Sequence, residues 1–199
     1  INRVNELKKY NDKTKEIKKE ILKKNKNIIF VKNISEIKNI DFFVVTVPTP
    51  IKNKKPDLKM IVDATKLVAK KIRKKNFVVY ESTVYPGVTE DICSKIIENK
   101  SKLKLNKDFY IGYSPERINP SDKKRTIEKI IKVTSGSNNY AADYIDKVYK
   151  QVIKAGTYKA KSIKIAEAAK VIENTQRDLN IAFINELGVI FNKLNINLN

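Results

Sequence analysis

Apolar strand-like segments alternate with helical ones, and this alternation constrains the fold more than any other feature. DFFVVTV (41–47) is apolar almost without interruption, and FVVYEST (77–83) and FYIGYS (109–114) follow the same habit. A strand apolar on both sides must be covered on both faces, which is the condition of a parallel sheet between helical layers. Helical patterns intervene at about Asp57 to Lys74, Thr89 to Glu98 and Asn139 to Lys154. The last carries Ala142, Ile145, Val148 and Val152 on its apolar side. IIKVTSG (130–136) and NIIFV (27–31) read as further strands. Residues 2 to 24 read as a charged helical pattern with Val4, Leu7, Ile17 and Leu22 as its apolar points. The order predicts an α/β fold with a doubly wound parallel sheet.

After Gly156 the pattern changes. Residues 162 to 187 run without Gly or Pro, predicting one long helix. At about 100° per residue, Asn174 lies about 40° and Arg177 about 20° from Lys170 around the axis. Glu167, Glu173 and Asp178 border that stripe. Ile165, Ala168, Ile172, Leu179, Phe183 and Ile190 form the opposite face, expected to pack. An ammonium, an amide and a guanidinium in one row suit an anionic, hydroxyl-rich ligand, although most polar helix faces are simply solvated.

The formal charge of +20 invites a nucleic-acid reading. Only five of the 42 cationic residues are arginine, and the lysines are spread along the chain. A solvated basic surface explains that pattern better than a nucleic-acid face, and a phosphate-bearing small ligand fits the charge equally well. No apolar run approaches the roughly 20 residues of a membrane span. Histidine is absent, which removes Ser-His-Asp triads, Cys-His dyads and most zinc sites, so no metal is expected. The single cysteine, Cys93, lies in a helical pattern with Ile92, Ile96 and Ile97 and reads as a buried structural thiol. A chain that forms no internal disulfide fits a reducing compartment, the cytoplasm.

In an open parallel α/β sheet, ligands bind beyond the carboxyl ends of the strands. Three polar, proline-braced segments fall there: Val47-Pro48-Thr49-Pro50, Glu81-Ser82-Thr83-Val84-Tyr85-Pro86-Gly87 and Ser114-Pro115-Glu116-Arg117-Ile118-Asn119-Pro120. Each alone reads as loop punctuation, but three on one edge point to a site. Gly87, Gly112, Gly136, Gly156 and Gly188 have the spacing of neither a dinucleotide G-x-G-x-x-G nor a P-loop.

VTVPTPI, PDL, YESTVYPGVTED, GYSPERINPSDK, VTSGS, AGTYKA and AEAAKVIENTQRDLNIAFINELGVIFNKL together resemble the UDP-glucose/GDP-mannose dehydrogenase family. The nearest branch is the one oxidising UDP-N-acetylhexosamines to uronic acids for surface polysaccharide. The resemblance runs collinearly from about Arg3 onward. It implies a Rossmann-like NAD-binding domain lacking its first βαβ at residues 1–157, and the start of a central helical dimerisation domain at 158–199. It implies a homodimer through the central helix, NAD as cofactor and a UDP-sugar as substrate. The family's reaction oxidises C6 in two NAD-dependent steps, through adducts on a cysteine. By resemblance, Val47, Pro48, Thr49, Ser82 and Thr83 contact NAD, and Thr83 also helps hold the water. Glu116 is the acid/base of thioester hydrolysis. Arg117 and Ile118 line the sugar-nucleotide site, Ile118 through its backbone. Lys170 stabilises the developing oxyanion or shuttles a proton, Asn174 fixes the sugar or a water, and Arg177 binds substrate.

The sequence departs from the family pattern in three respects. The Gly-rich phosphate loop and the acidic residue for the adenosine ribose do not occur in it. Cys93 is not the equivalent of the catalytic cysteine. The usual P-G-D-K after SPERIN reads Pro120-Ser121-Asp122-Lys123. These departures imply a fragment that is inactive by itself, with an exposed sheet edge and marginal stability. A non-catalytic dimerising remnant and a basic nucleic-acid-binding protein are the alternatives.

Overall fold

The computed structural model describes residues 2–117 and 127–196, which fall into two compact units, 1–40 and 41–199. The smaller unit contains α1 (Asn2–Lys8) and α2 (Lys19–Lys24). Residues 2 to 24 are therefore two short helices, because Asp12 organises the chain between them. Its carboxylate accepts the backbone N–H groups of Thr14, Glu16 and Ile17 and pairs with Arg3 at 2.6 Å. The Ile17 N–H bond, foremost among these contacts, holds the Asp12 carboxyl far below its usual range. The expected strand at 27–31 does not form. Ile29 is 82% exposed, and a strand with no neighbour to pair with is not stable.

The larger unit is the α/β body. β1 (Phe42–Val45) leads into the hairpin of β2 (Ile51–Lys52) and β3 (Lys55–Pro56), then α3 (Lys59–Ala69) and β4 (Phe77–Tyr80). A π-helical stretch, Val88–Cys93, runs into α4 (Ser94–Ser101), followed by β5 (Tyr110–Tyr113). Then come β6 (Lys132–Thr134), α5 (Asn139–Lys150), β7 (Thr157–Lys159) and α6 (Ile163–Lys193).

The main sheet has the order β1-β4-β5 with both pairings parallel. Side chains alternate across β4, so its two faces meet different helices. Phe77 and Val79 pack with Ala141, Ile145, Tyr149 and Ile153 from α5 and the turn after it. On the other face the Tyr80 hydroxyl lies 3.0 Å from Thr65 Oγ1 of α3. Burial on both sides is what the apolar run of β4 requires, and the doubly wound parallel sheet is present.

Several expected details differ. The buried row of α5 is Ala141, Ile145 and Tyr149, while Ala142 and Val148 are half-buried and Val152 is 60% exposed. Tyr149 stands one turn after Ile145 in that row, and its hydroxyl finds a polar partner in Glu81. β6 does not extend the parallel main sheet. It pairs in parallel with β7, a strand unforeseen before the long helix, and touches the main sheet through an isolated antiparallel bridge between Gly112 and Gly136. Both glycines are required by close approach. A Cβ on Gly112 would sit 2.3 Å from the Ser135 carbonyl, and one on Gly136 would sit 2.3 Å from the Ala142 nitrogen.

The long helix forms, 31 residues from Ile163 to Lys193, with Ser162 Oγ accepting the Ile165 N–H as its N-cap. Its expected apolar face is not packed within the chain. Ile172, Leu179 and Phe183 are 63–64% exposed, and Ile165 and Ile190 about half exposed. The helix is about 46 Å long at 1.5 Å per residue, and the α/β body covers only its first turns. Ile163, Ala166 and Glu167 are its buried residues.

Candidate active site

β1, β4 and β5 are parallel neighbours, so the segments that follow them leave the sheet on one edge. Val47-Pro48-Thr49-Pro50 follows β1, Glu81 to Gly87 follows β4, and Ser114 to Arg117 follows β5. Thr49 Oγ1 and Ser82 Oγ are buried there without a hydrogen-bond partner among the described residues. A buried hydroxyl without a partner is costly in a finished fold and suited to a polar ligand. Val47 is half-buried, while Pro48 and Thr83 are exposed on the same edge.

Carboxylates and cations fill the next layer. Glu81 accepts from the Lys132 ammonium at 3.0 Å and from the Tyr149 hydroxyl. Burial, reinforced by the Glu81 charge, pushes the Tyr149 phenol well above its usual range, so it stays a donor. Lys132 also lies 3.8 Å from Glu116. Arg117 reaches across to α6 and grips Glu173 with two N–H groups, at 3.0 and 3.3 Å. Arg177 donates to the same carboxylate at 3.1 Å.

α6 is fastened to the β4 turn by Glu167. Each carboxylate oxygen accepts one backbone N–H, from Gly87 at 2.6 Å and Thr89 at 3.0 Å, and the side chain is fully buried. Gly87 holds φ +102°, a conformation that favours glycine, and a Cβ there would also meet the Asp91 carboxylate at 2.7 Å. Asp91 in turn pairs with Lys164 at 3.3 Å.

One turn on, Lys170 is half-buried. Partial burial holds its ammonium below the usual lysine range, with Glu173 opposing, Arg177 adding, Glu116 opposing and Arg117 adding. The fold thus gathers Lys170, Glu116, Arg117 and Arg177 into one mixed-charge cluster. Asn174 is exposed on the same helix. Ile118 lies outside the described residues, as do Pro120, Ser121, Asp122 and Lys123.

Lys132 and Tyr149 were not named by sequence reasoning, and Glu81 only as the first residue of the turn after FVVY. The available signal was a lysine inside an apolar strand pattern, obscured by the abundance of lysine elsewhere. Glu167 read as a border of the Lys170, Asn174 and Arg177 stripe, and its burial shows an anchor instead. Cys93 is buried, and its desolvation pushes the thiol up to about 11, which keeps it protonated and unreactive. Among the described residues there is no cluster of His, Cys, Asp and Glu able to hold a metal, and no helix long and apolar enough to cross a membrane.

A doubly wound parallel sheet with buried, unpartnered hydroxyls at its carboxyl edge has the build of a dinucleotide-binding domain. Residues 2–153 match the NAD binding domain of the UDP-glucose/GDP-mannose dehydrogenase family, and residues 164–199 match its central domain. The chain belongs to that family. It is 53% identical over 195 residues to the UDP-N-acetyl-D-glucosamine 6-dehydrogenase of Salmonella typhi, and 51% identical over 195 residues to that of Pseudomonas aeruginosa. Each alignment covers 98% of this chain and 46% of the relative. The solved UDP-D-ManNAc dehydrogenase of Pyrococcus horikoshii superposes with a TM-score of 0.87 at 27% identity, covering 98% of this chain and 48% of that one. The chain spans about half the length of these relatives.

Proposed function

We propose that this chain is the NAD-binding portion and central-helix start of a cytoplasmic UDP-N-acetylhexosamine 6-dehydrogenase serving surface polysaccharide synthesis. In this reading the NAD-binding part runs to residue 157 and the helical part begins at 158. The observation that carries it is that the turns after β4 and β5 meet α6 through Glu167 and Arg117, on the edge that also holds the turn after β1. The family relatives support the reaction class, since two of them are named for this oxidation.

When bound, NAD would supply the hydride acceptor for oxidation at C6 of the sugar. Thr49 and Ser82 offer their unpaired hydroxyls to its polar groups, and Val47, Pro48 and Thr83 complete that wall. Thr83 is also exposed enough to hold a water. Glu116 takes and returns the proton of the hydrolytic water. Lys170 stabilises negative charge on the reacting oxygen, and a lysine held below its usual range also passes a proton more readily. Asn174 fixes the sugar or a water, while Arg117, Ile118 and Arg177 receive the sugar nucleotide. Lys170 and Asn174 therefore act both in the chemistry and in holding substrate. The exposed row Ile172, Leu179, Phe183 and Ile190 supports a homodimer through α6.

The test uses the full-length protein with NAD and UDP-GlcNAc, UDP-GalNAc or UDP-ManNAc. Two NADH per sugar are expected from one of them, with kcat falling about 10²–10³-fold in Lys170→Ala. No NADH with any of the three, from a folded protein, overturns the reading.

A further inference from the structure

Glu167 has no part in the roles above, yet it stands three residues before Lys170 on α6 and is fully buried. A carboxyl group taken out of water needs partners. Both of its partners are backbone N–H groups of one segment, Gly87 at 2.6 Å and Thr89 at 3.0 Å, which lie 80 and 78 residues away in the chain. A carboxyl group held at both oxygens fixes the helix in rotation as well as in position, which a single bond leaves free. The segment is the end of the turn that carries Ser82 and Thr83. One turn earlier on α6, Lys164 meets the same segment at Asp91, 3.3 Å away, but both of those side chains are more than half exposed.

Lys170 is thus placed between two ties. Glu167, three residues before it, joins α6 to the turn after β4, and Glu173, three residues after it, joins α6 to the turn after β5 through Arg117. Each lies about 4.5 Å along the axis from Lys170 and about 60° to either side of it. The two ties are not equal. Arg117 and Glu173 leave 34% and 31% of their side chains exposed, so water screens that pair, whereas no water reaches Glu167. We propose that Glu167 is a positioning residue that sets where the Lys170 ammonium stands relative to Ser82 and Thr83; this rests on the roles given to those three residues above. Glu167 acts through the backbone of α6 and exchanges no proton. Its effect is geometric, and a displacement of about 1 Å at a reacting group is enough to cost about 10²-fold in rate.

The experiment is a double-mutant cycle of Glu167→Gln and Lys170→Ala in the full-length protein, reading kcat and the Kd for NAD. Glu167→Gln keeps the side-chain shape but turns an amide NH₂ toward a backbone N–H, so the clamp opens. Per folded molecule, kcat is expected to fall about 10- to 100-fold. The Kd for NAD stays within about threefold, because Ser82 and Thr83 follow directly from β4. In the Lys170→Ala background the same substitution costs less than about twofold, since the lysine through which it acts is gone. An equal fall in both backgrounds is what a merely structural role gives, and it overturns the inference. So does an unchanged kcat in folded Glu167→Gln. Should that variant fail to fold, Gly87→Ala opens the clamp from the other side, because φ +102° strains an alanine, and an equal fall in both backgrounds then overturns the inference.

A second readout needs no turnover. The ¹³Cε resonance of Lys170, assigned by its loss in Lys170→Arg, is followed through a pH titration. Lys170 faces Glu173 and Arg177 on its own helix and Glu116 and Arg117 from the turn after β5. Partial burial holds its ammonium below the usual lysine range, and a helix released from the clamp admits water. Its midpoint is therefore expected to rise by about half a pH unit in Glu167→Gln, and a midpoint that stays in place overturns the inference. A parent protein that makes no NADH overturns the functional reading, while a Lys170 midpoint that rises as stated leaves the positioning of that lysine standing.

Discussion

The first third of α6 is buried on one side and the remaining two thirds are not, and that buried side lies about 180° around the axis from the exposed apolar row. At the start, Ile163 and Ala166 are fully buried, Glu167 binds two backbone amides, Lys164 pairs with Asp91 and Glu173 is gripped by Arg117. Farther on, Leu179, Phe183 and Ile184 carry the same kind of side chain and are each 63% exposed. Helical periodicity identifies a face that gains from cover. The α/β body covers the side of the first turns that carries Ile163, Ala166 and Glu167, and leaves Ile165 and Ile172 exposed beside it. The covered part carries the proposed chemistry, and the uncovered part is the surface that the proposed homodimer would use.

The sharpest way to break this contrast is Glu167→Ala. Leaving the Gly87 and Thr89 amides unsatisfied in a buried place costs about 3 kcal/mol, read as a lower urea midpoint at unchanged slope. A variant as stable as its parent would show that the clamp does not hold the helix.

Asp146 tests the run-in to the helix, since it accepts from Thr134 at 2.8 Å, Thr157 at 2.6 Å and Lys150 at 2.7 Å. Burial pushes its carboxyl up, but the Lys150, Thr157 and Thr134 donors together outweigh burial and hold it below the usual range. Its stabilisation is therefore present above its unfolded pKa of about 3.9 and is lost as pH falls through the lower folded value. Asp146→Asn is expected to lose about 1–2 kcal/mol at pH 7, with the gap closing below about pH 4. A gap that does not change with pH refutes this account.

Arg117→Ala should cost only about 0.5 kcal/mol, because the Glu173 pair is partly exposed, and should show chiefly as a raised KM for the sugar nucleotide. The smallest effect on the folding of one subunit belongs to Phe183→Ser, below about 0.5 kcal/mol. The same change should shift the full-length protein from dimer toward monomer in sedimentation. A large loss of stability without a change in association would mean that the distal face is covered within its own subunit.

The doubly wound sheet was legible because β4 must be buried on both faces, and its apolar run says so directly. The site edge followed, since parallel neighbours send their carboxyl-end turns to one side. The strand at 27–31 was not legible, because a short apolar run states a propensity and not whether a partner strand is there to pair. Tyr149 was passed over because a tyrosine counts as surface until a carboxylate such as Glu81 is placed behind it. Lys132 and Glu167 were hidden for a related reason. A buried charge is recognised by its counter-charge, and Glu81 and the Gly87 amide lie 51 and 80 residues away in sequence.

The carboxylate of Glu167 also acts as a pivot. From there to Phe191 the helix extends about 36 Å, while Lys170 lies only about 4.5 Å beyond the same point. A rod turning about that pivot scales down movement at its far end roughly eightfold before it reaches Lys170, so a tilt carrying Phe191 by 1 Å displaces the lysine's backbone by about 0.1 Å. Whatever seats against the distal helix can flex with thermal motion while the ammonium keeps its station over Glu116 and Arg117. In the proposed homodimer the long arm would insulate the proposed chemistry from the assembly.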